Sequence, residues 1–385
     1  LRLQLRVLFA AVVLTARPAA ADDYKVGGAA AMTAYSDTNA VSVLTPTING
    51  SIEQPTAGWG ATAAYLVDVV TAASPDIVST ATRRWTEVRH AGSIGGRYKP
   101  STTGVSGAFS FSSEPDYLSL GGGGTFTQEL DDKNLTLTVG YAHSHDTIGR
   151  HGTPFDVFSR TLDRNDFTFG IARILDRSTL VVLALDTAFE RGDQSKPYRY
   201  VPMFTQENAT LVTRGASAED VARLRRPERV LEQLPLERDR YALTGRFLRR
   251  FATSTMRLEQ RLYVDSWSLL AETTDARWLF DASSRLRLGP HARVHRQGAV
   301  DFWKRAYVMT NDVDFPRYRT GDRELGALWN FTGGGSGRFA IGSFESQTSW
   351  AITATADLTY TTFADAIYVK DRLAGFVALG VEVER

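Results

Sequence analysis

The chain has 385 residues, a net charge of +1, 43% hydrophobic and 23% charged residues, and no cysteine. That length suits two or three ordinary soluble domains or one large barrel. The near-zero charge argues against a nucleic-acid binder, and the missing cysteines exclude disulfide scaffolds, thiolate metal sites and cysteine nucleophiles.

The first segment reads as a targeting sequence. Arg2 and Arg6 flank an apolar stretch, Val7–Ala16, followed by Pro18 and small residues, with Ala19-x-Ala21 as the expected cleavage site. Residues 1–21 are thus expected to be a signal peptide and 22–385 the mature protein, working outside the cytoplasm. Beyond this segment no apolar run approaches the roughly 18–20 residues of a membrane-spanning helix. The longest, Leu180–Leu185, excludes a helical transporter.

Along the rest of the chain apolar residues recur at every second position, in stretches of roughly 10–14 residues bounded by turn residues. In Leu135–Tyr141 the odd positions carry Leu, Leu, Val and Tyr. In Ile352–Tyr360 the apolar set is Ile352, Ala354, Ala356, Leu358 and Tyr360. Soluble sandwiches use shorter strands, about 5–6 residues. Strands of about ten residues or more, tilted, match an outer-membrane bilayer.

Short connections are expected near Gln54–Gly58, Lys99–Thr102, Asp131–Lys133, Asp176–Ser178, Ala252–Ser254 and Gly289–Pro290. Longer ones fall near Ala72–Arg83, Asp146–Asp163, Gly192–Glu237 and Tyr307–Thr320. This alternation is that of outer-membrane barrels. Placing the short turns on one side requires a first strand around Gly28–Tyr35 and gives an all-β, transmembrane, antiparallel up-and-down barrel of about sixteen strands. Gly333–Ser349 reads as a turn with a stray strand, which leaves fourteen open. Gly121–Gly124 is placed inside a strand. Trp59, Tyr65, Tyr98, Phe167, Phe189, Trp278 and Phe302 fall on the apolar face, several near strand ends as in an interfacial girdle.

The connection 192–237 is too long for an idle loop. Ser217 with Glu219 and Asp220 reads as a helix start, Val221 and Leu224 as its buried side, and Pro227 as its stop. Such a helix plugs the barrel, lies over its mouth, or is a solvent-exposed excursion.

Six of the 44 cations are lysine and the rest arginine, and the arginines follow the polar parity of consecutive strands. One strand carries Arg240, Arg246 and Arg250, the next Arg257, Glu259, Arg261 and Asp265. A third carries Arg277, Asp281, Arg285 and Arg287, and a fourth Arg293, His295 and Asp301. Facing lipid, each charge would cost roughly 2–4 kcal/mol near the midplane, so this parity points inward. There Arg261 and Asp265, and their neighbours Asp281 and Arg285, are expected to pair across strands. The network reads as a selectivity lining or as a structural ladder filling the lumen.

His143 and His145 share a strand face, with His151 following, but the spacing fixes no third metal ligand. No phosphate loop, nucleophile elbow or zinc-protease motif occurs. Neither an enzyme nor a cofactor is implied.

The segments SSEPDYLSL (Ser112–Leu120), PLERDRYALTGRF (Pro235–Phe247), EQRLYVDSW (Glu259–Trp267), HRQGAVDFW (His295–Trp303) and DREL (Asp322–Leu325) resemble a family of bacterial outer-membrane proteins catalogued as a domain of unknown function. YSDTN (Tyr35–Asn39) and DVVTAASPD (Asp68–Asp76) fit it too. The resemblance implies a barrel surrounded by outer-membrane lipid and carries over no catalytic residue. It also implies a redox setting, with flavin-attachment or thioredoxin-like proteins as periplasmic partners. One departure is the ending, Glu382-Val383-Glu384-Arg385, where barrel chains usually finish on an aromatic residue.

Overall fold

The computed structural model describes residues 24–72, 85–342 and 348–385. The expected signal peptide, most of the connection near Ala72–Arg83, and residues 343–347 lie outside the described residues. Twenty strands follow one another: β1 (Lys25–Asp37), β2 (Val41–Gln54), β3 (Trp59–Ala72), β4 (Trp85–Tyr98), β5 (Thr103–Glu114), β6 (Tyr117–Leu130), β7 (Leu135–Ile148), β8 (Arg160–Asp176), β9 (Thr179–Gly192), β10 (Tyr200–Val201), β11 (Met203–Phe204), β12 (Val230–Leu231), β13 (Glu237–Arg250), β14 (Ser254–Asp265), β15 (Leu270–Asp281), β16 (Leu286–Gln297), β17 (Tyr307–Val308), β18 (Leu328–Ala340), β19 (Ser349–Phe363) and β20 (Asp371–Glu384). Sixteen of them close a barrel, each antiparallel to its chain neighbour; the four two-residue strands β10, β11, β12 and β17 stand apart. The ring is sealed between β1 and β20, with Ala31 opposite Gly380. Sixteen is the count that the alternation of turns called for.

Parity decides which face meets what. On β14 the even positions Leu258, Leu262 and Val264 are 41%, 50% and 43% exposed. On β20, Leu373, Val377, Leu379 and Val381 are likewise open. A water-soluble protein rarely leaves contiguous apolar patches beyond a few hundred Å², whereas here the apolar outer face continues from strand to strand. It ends in aromatic rows. Tyr141, Phe167, Phe189 and Tyr241 touch in sequence across β7, β8, β9 and β13, with centroids 5.1, 6.1 and 6.2 Å apart. Toward the other end Phe251 stacks on Trp278 at 5.5 Å. Tyr241 and Phe251 are ten residues apart in sequence; at ~3.3 Å per residue and ~40° tilt that is about 25 Å, the height of an outer-membrane apolar band.

Two expectations about turns are corrected. Gly289–Pro290 is no turn: both residues lie inside β16, and the turn is formed by residues 282–285. The β15–β16 ladder jumps from Arg277–His291 to Phe280–Leu288, so the N–H that proline lacks falls in a gap, while the β18 side stays continuous. Gly333–Ser349 is not a turn with a stray strand either, because Gly333–Ala340 is the body of β18. A Cβ on Gly334 would collide with Asp357 of β19. The bare glycine is what lets His291 of β16 reach across β18 to Asp357, at 2.8 Å.

The tightest apolar packing is not in the barrel wall. It belongs to a cap built from connections 193–236 and 298–327, where Met203 and Phe204 are fully buried and Val212, Val221, Val300 and Tyr307 nearly so. β10 pairs with β12 within the first connection, and β11 pairs in parallel with β17 of the second. Helix α1 (Gln206–Leu211) and helix α2 (Ala218–Leu224) fold over this seam. The expected helix start holds: the Asp220 N–H donates to Ser217 Oγ at 3.1 Å, and Val221 is buried. The chain leaves β9 through Gly192, whose φ of +133° no side chain would tolerate against the Thr161 carbonyl. Phe302, expected on a strand's apolar face, instead packs in the cap against Trp267.

Candidate functional site: a capped, charge-lined lumen

The inner face of β13 to β16 is laid out in rows set by register. Arg257, Arg277 and His291 stand side by side on three neighbouring strands, and two residues along, Arg246, Glu259, Asp275 and Arg293 form the next row. Like charges directly opposite destabilise a sheet, so compensation runs along the strands as well as across them. Arg257 binds Glu259 at 2.6 Å and Arg277 binds Asp275 at 2.8 Å, each within its own strand. Arg246 reaches Glu259 across strands at 2.7 Å, and Asp357 holds His291. Glu259 thus serves two guanidiniums.

Each expected residue can be placed. Arg240 pairs with Glu190 of β9 at 2.8 Å, and Arg261 spans β13 to Asp186 at 3.2 Å. Asp265 pairs not with Arg261 but with Arg238, at 2.5 Å, and accepts the backbone N–H groups of Trp267 and Leu269, each at 3.0 Å. It is a buried staple for the 266–269 connection. Asp281 takes Arg250 at 2.9 Å and Arg287 at 2.8 Å. His295 hydrogen-bonds Thr273 at 2.8 Å. Arg293 has the inward parity of His291 and His295 and no ion-pair partner among the described residues.

Two members leave the ladder. Arg285 lies in the exposed turn 282–285 and does not pair with Asp281. Asp301 lies in the cap, past the end of β16 at Gln297, exposed, with its N–H donating to the Trp267 carbonyl. In both cases, and for Arg287, which lies on β16 and not on the strand of Asp281, the alternating pattern runs on beyond the strand's end.

The partners that sequence reading missed are Asp186 and Glu190 on β9, Arg164 on β8, Arg238, Asp275, His291 and Asp357. Asp186 and Glu190 share one parity with Ala184 and Ala188, a pattern visible in the sequence. Glu190 is 3% exposed and lies between Arg240 and Arg164, the latter at 3.8 Å.

The opposite wall differs in kind. From β3 to β8 the inward positions are small: Gly60, Thr62, Gly95, Ser106, Ser110, Gly121, Gly123, Gly140 and Ser144 border a cavity of about 690 Å³. Glu53, Arg97 and Asp166 supply its charges. Free space therefore lies against the glycine-rich wall, while β9 to β16 carry most of the guanidiniums.

The cap is tied to the barrel at the end opposite the short turns, from several sides. Arg160 of β8 holds Asp193 at 2.6 Å, Arg372 of β20 holds Glu324 at 2.9 Å, and Arg214 donates to the Phe363 carbonyl of β19 at 2.7 Å. Gln297 of β16 donates to the Gly326 carbonyl at 2.8 Å, and Leu234 and Val300 pack on Trp267 and Leu269. Its two connections are joined by Glu232, which accepts from the Thr320 hydroxyl at 2.7 Å and lies 3.3 Å from Arg199; Arg199 in turn binds Asp322 at 2.9 Å. Burial opposes the Arg199 charge, yet Asp322 and Glu232 outweigh it and raise its pKa. Burial likewise disfavours ionised Asp322, but Arg199 prevails and holds that carboxyl below its ordinary value. The Tyr307 phenol is pushed up to about 12 by burial.

Glu87, Glu114 and Asp116 bring carboxylate oxygens within 4.8 Å of one another beneath the cap, a grouping that could hold a metal ion. Lys196 of the cap lies in their field. His143 and His145 sit on the face of Tyr141, which is lipid-facing, beside Asp163 at 3.9 and 2.8 Å, and His151 lies in an exposed loop. Among the described residues the two histidines and Asp163 do not converge into a cluster that could hold a metal ion.

The family described as "Protein of unknown function (DUF3570)" matches residues 80–336. The chain belongs to that family. No curated protein is significantly similar in sequence. Among solved structures, the siderophore receptor PirA from Acinetobacter baumannii matches at 9% identity and a TM-score of 0.41, over 90% of this chain and 54% of its own. The chain thus spans about half of that receptor. Pseudomonas aeruginosa OccK7 matches at 9% identity and 0.44, over 94% and 99%, and the P. putida toluene transporter TodX at 10% and 0.38, over 94% and 89%.

Proposed function

We propose that this family member resides in the outer membrane, short turns toward the periplasm, and passes or gates a small solute through its charged lumen. The observation that carries the reading is the cap. An apolar core distinct from the barrel wall is anchored around one mouth of a barrel whose interior retains a cavity of about 690 Å³. A barrel serving only as a wall has no use for a gate. The test is conductance in planar bilayers, with the full chain and with Ser217–Leu234 deleted. Discrete channels, enlarged by the deletion, are expected; silence from both proteins refutes the reading.

A second reading is a non-conducting barrel that docks periplasmic flavin-bearing or thioredoxin-like proteins. The charge ladder favours it, since guanidiniums and carboxylates alternate and neutralise one another. Affinity capture from membranes that recovers no such partner counts against it.

A further inference from the structure

We propose that the short-turn rim between β8 and β18 is a docking surface for the phosphate headgroups of anionic phospholipids. The rim is one continuous structure. The Arg250 N–H donates to Ser178 O at 2.7 Å, Asp281 N–H to Thr253 O at 2.9 Å, and Ala340 N–H to Arg285 O at 2.8 Å, so successive turns are bonded edge to edge. Along this arc run Arg173, Arg177, Arg249, Arg250, Arg285 and Arg287. Four of the six are in excess over the arc's own acids, Asp176 and Asp281.

Arg177, Arg249 and Arg285 are all exposed and make no ion pair with a described residue. Arg173 is bound to Asp131 of the neighbouring turn, and Arg250 and Arg287 share Asp281. Three guanidiniums therefore have unused donor capacity, and a planar fork of donors suits phosphate oxygens.

Depth selects a lipid rather than a soluble acidic partner. Arg249 lies on the outer parity of β13, after Leu243 and Phe247 and before Phe251. Its guanidinium carbon is 5.9 Å from the Phe251 ring, which stacks on Trp278. Leu175, 60% exposed, adjoins Arg177 through Asp176. Arg249 thus lies level with the aromatic row that ends the apolar band, since it faces Met256, which faces Trp278, and Arg177 and Arg285 lie in the turns beyond that row, at headgroup height. The remaining rim, from Glu53 to Lys133, has no such surplus: Arg97 pairs with Glu53 and Lys99 with Glu129.

The full chain in neutral detergent micelles, titrated with short-chain phosphatidylglycerol, phosphatidylcholine, inorganic phosphate or polyglutamate, tests this through tryptophan fluorescence, to which Trp278 contributes. Saturable binding of phosphatidylglycerol over phosphatidylcholine is expected, with about a fivefold loss of affinity for each of R177Q, R249Q and R285Q and none for R223Q in the cap. Gel mobility of unheated samples verifies that each variant is folded. Equal affinity for the two lipids overturns the proposal, as does a folded triple variant with unchanged affinity. Polyglutamate binding as tightly as phosphatidylglycerol overturns the choice of lipid. None of these outcomes depends on conductance.

Discussion

Removing the Glu232 carboxylate should open the cap while leaving the barrel standing. Glu232 is 3% exposed and accepts from the Lys196 N–H at 3.0 Å and the Thr320 hydroxyl at 2.7 Å, besides neutralising Arg199. Glu232→Ala leaves the Lys196 N–H and the Thr320 hydroxyl without an acceptor and Arg199 with Asp322 alone. Breaking a buried charge pair costs roughly 3–5 kcal/mol, and the low end applies because Arg199 keeps Asp322. A cost of about 3 kcal/mol shifts an opening equilibrium about 150-fold. The barrel's ladders share none of these bonds. Trypsin offers the readout, since Arg223, Arg225 and Arg229 all lie in the cap and none precedes a proline. When reclosing outpaces cleavage, the nicking rate follows the open population and should rise about a hundredfold, with unheated gel mobility unchanged. An unaltered nicking rate would refute the coupling between the two connections. Loss of the folded barrel's mobility would refute the cap's independence.

Other consequences can be checked directly. Glu190→Gln removes the charge between Arg240 and Arg164 and should destabilise the barrel by about 3 kcal/mol in urea; a change below about 0.5 kcal/mol would mean that lumen water satisfies both arginines. Gly123→Ala places a Cβ 2.7 Å from both Ala142 Cβ and the Tyr141 carbonyl and should cost about 1–3 kcal/mol, whereas Gly245→Ala meets nothing within 4 Å and should be near neutral by the same assay. Because the folded pKa of Asp322 is depressed, its contribution is complete above the unfolded value of about 3.9 and is lost as pH falls through the folded one. Hydrogen exchange in 193–236 should accelerate below about pH 4 and do so less in Asp322→Asn. With no native cysteine, Leu262→Cys should react with a lipid-soluble maleimide and Arg261→Cys with a water-soluble one; the reverse would invert the barrel's faces.

The barrel itself was legible in the sequence because a strand's side chains alternate with a period of two, and a one-residue slip would turn every charge toward lipid. Leu258, Leu262 and Val264 against Arg257, Glu259 and Arg261 state that choice locally, and the tally of short turns gave the strand number. Ser217 announced α2 by the same local logic. What alternation cannot state is where a strand stops, so the pattern overruns the strand ends at Arg285 and Asp301 and reads Pro290 as a turn. Nor can it name partners two strands away. Arg261 with Asp186, and His291 with Asp357 over Gly334, depend on register across an intervening strand. The cap is least legible, because its core is shared between residues 193–236 and 298–327. Their meeting, β11 on β17 and Glu232 beside Thr320, buries Tyr307 against Val201 and Met203, and no local pattern encodes contacts about a hundred residues apart.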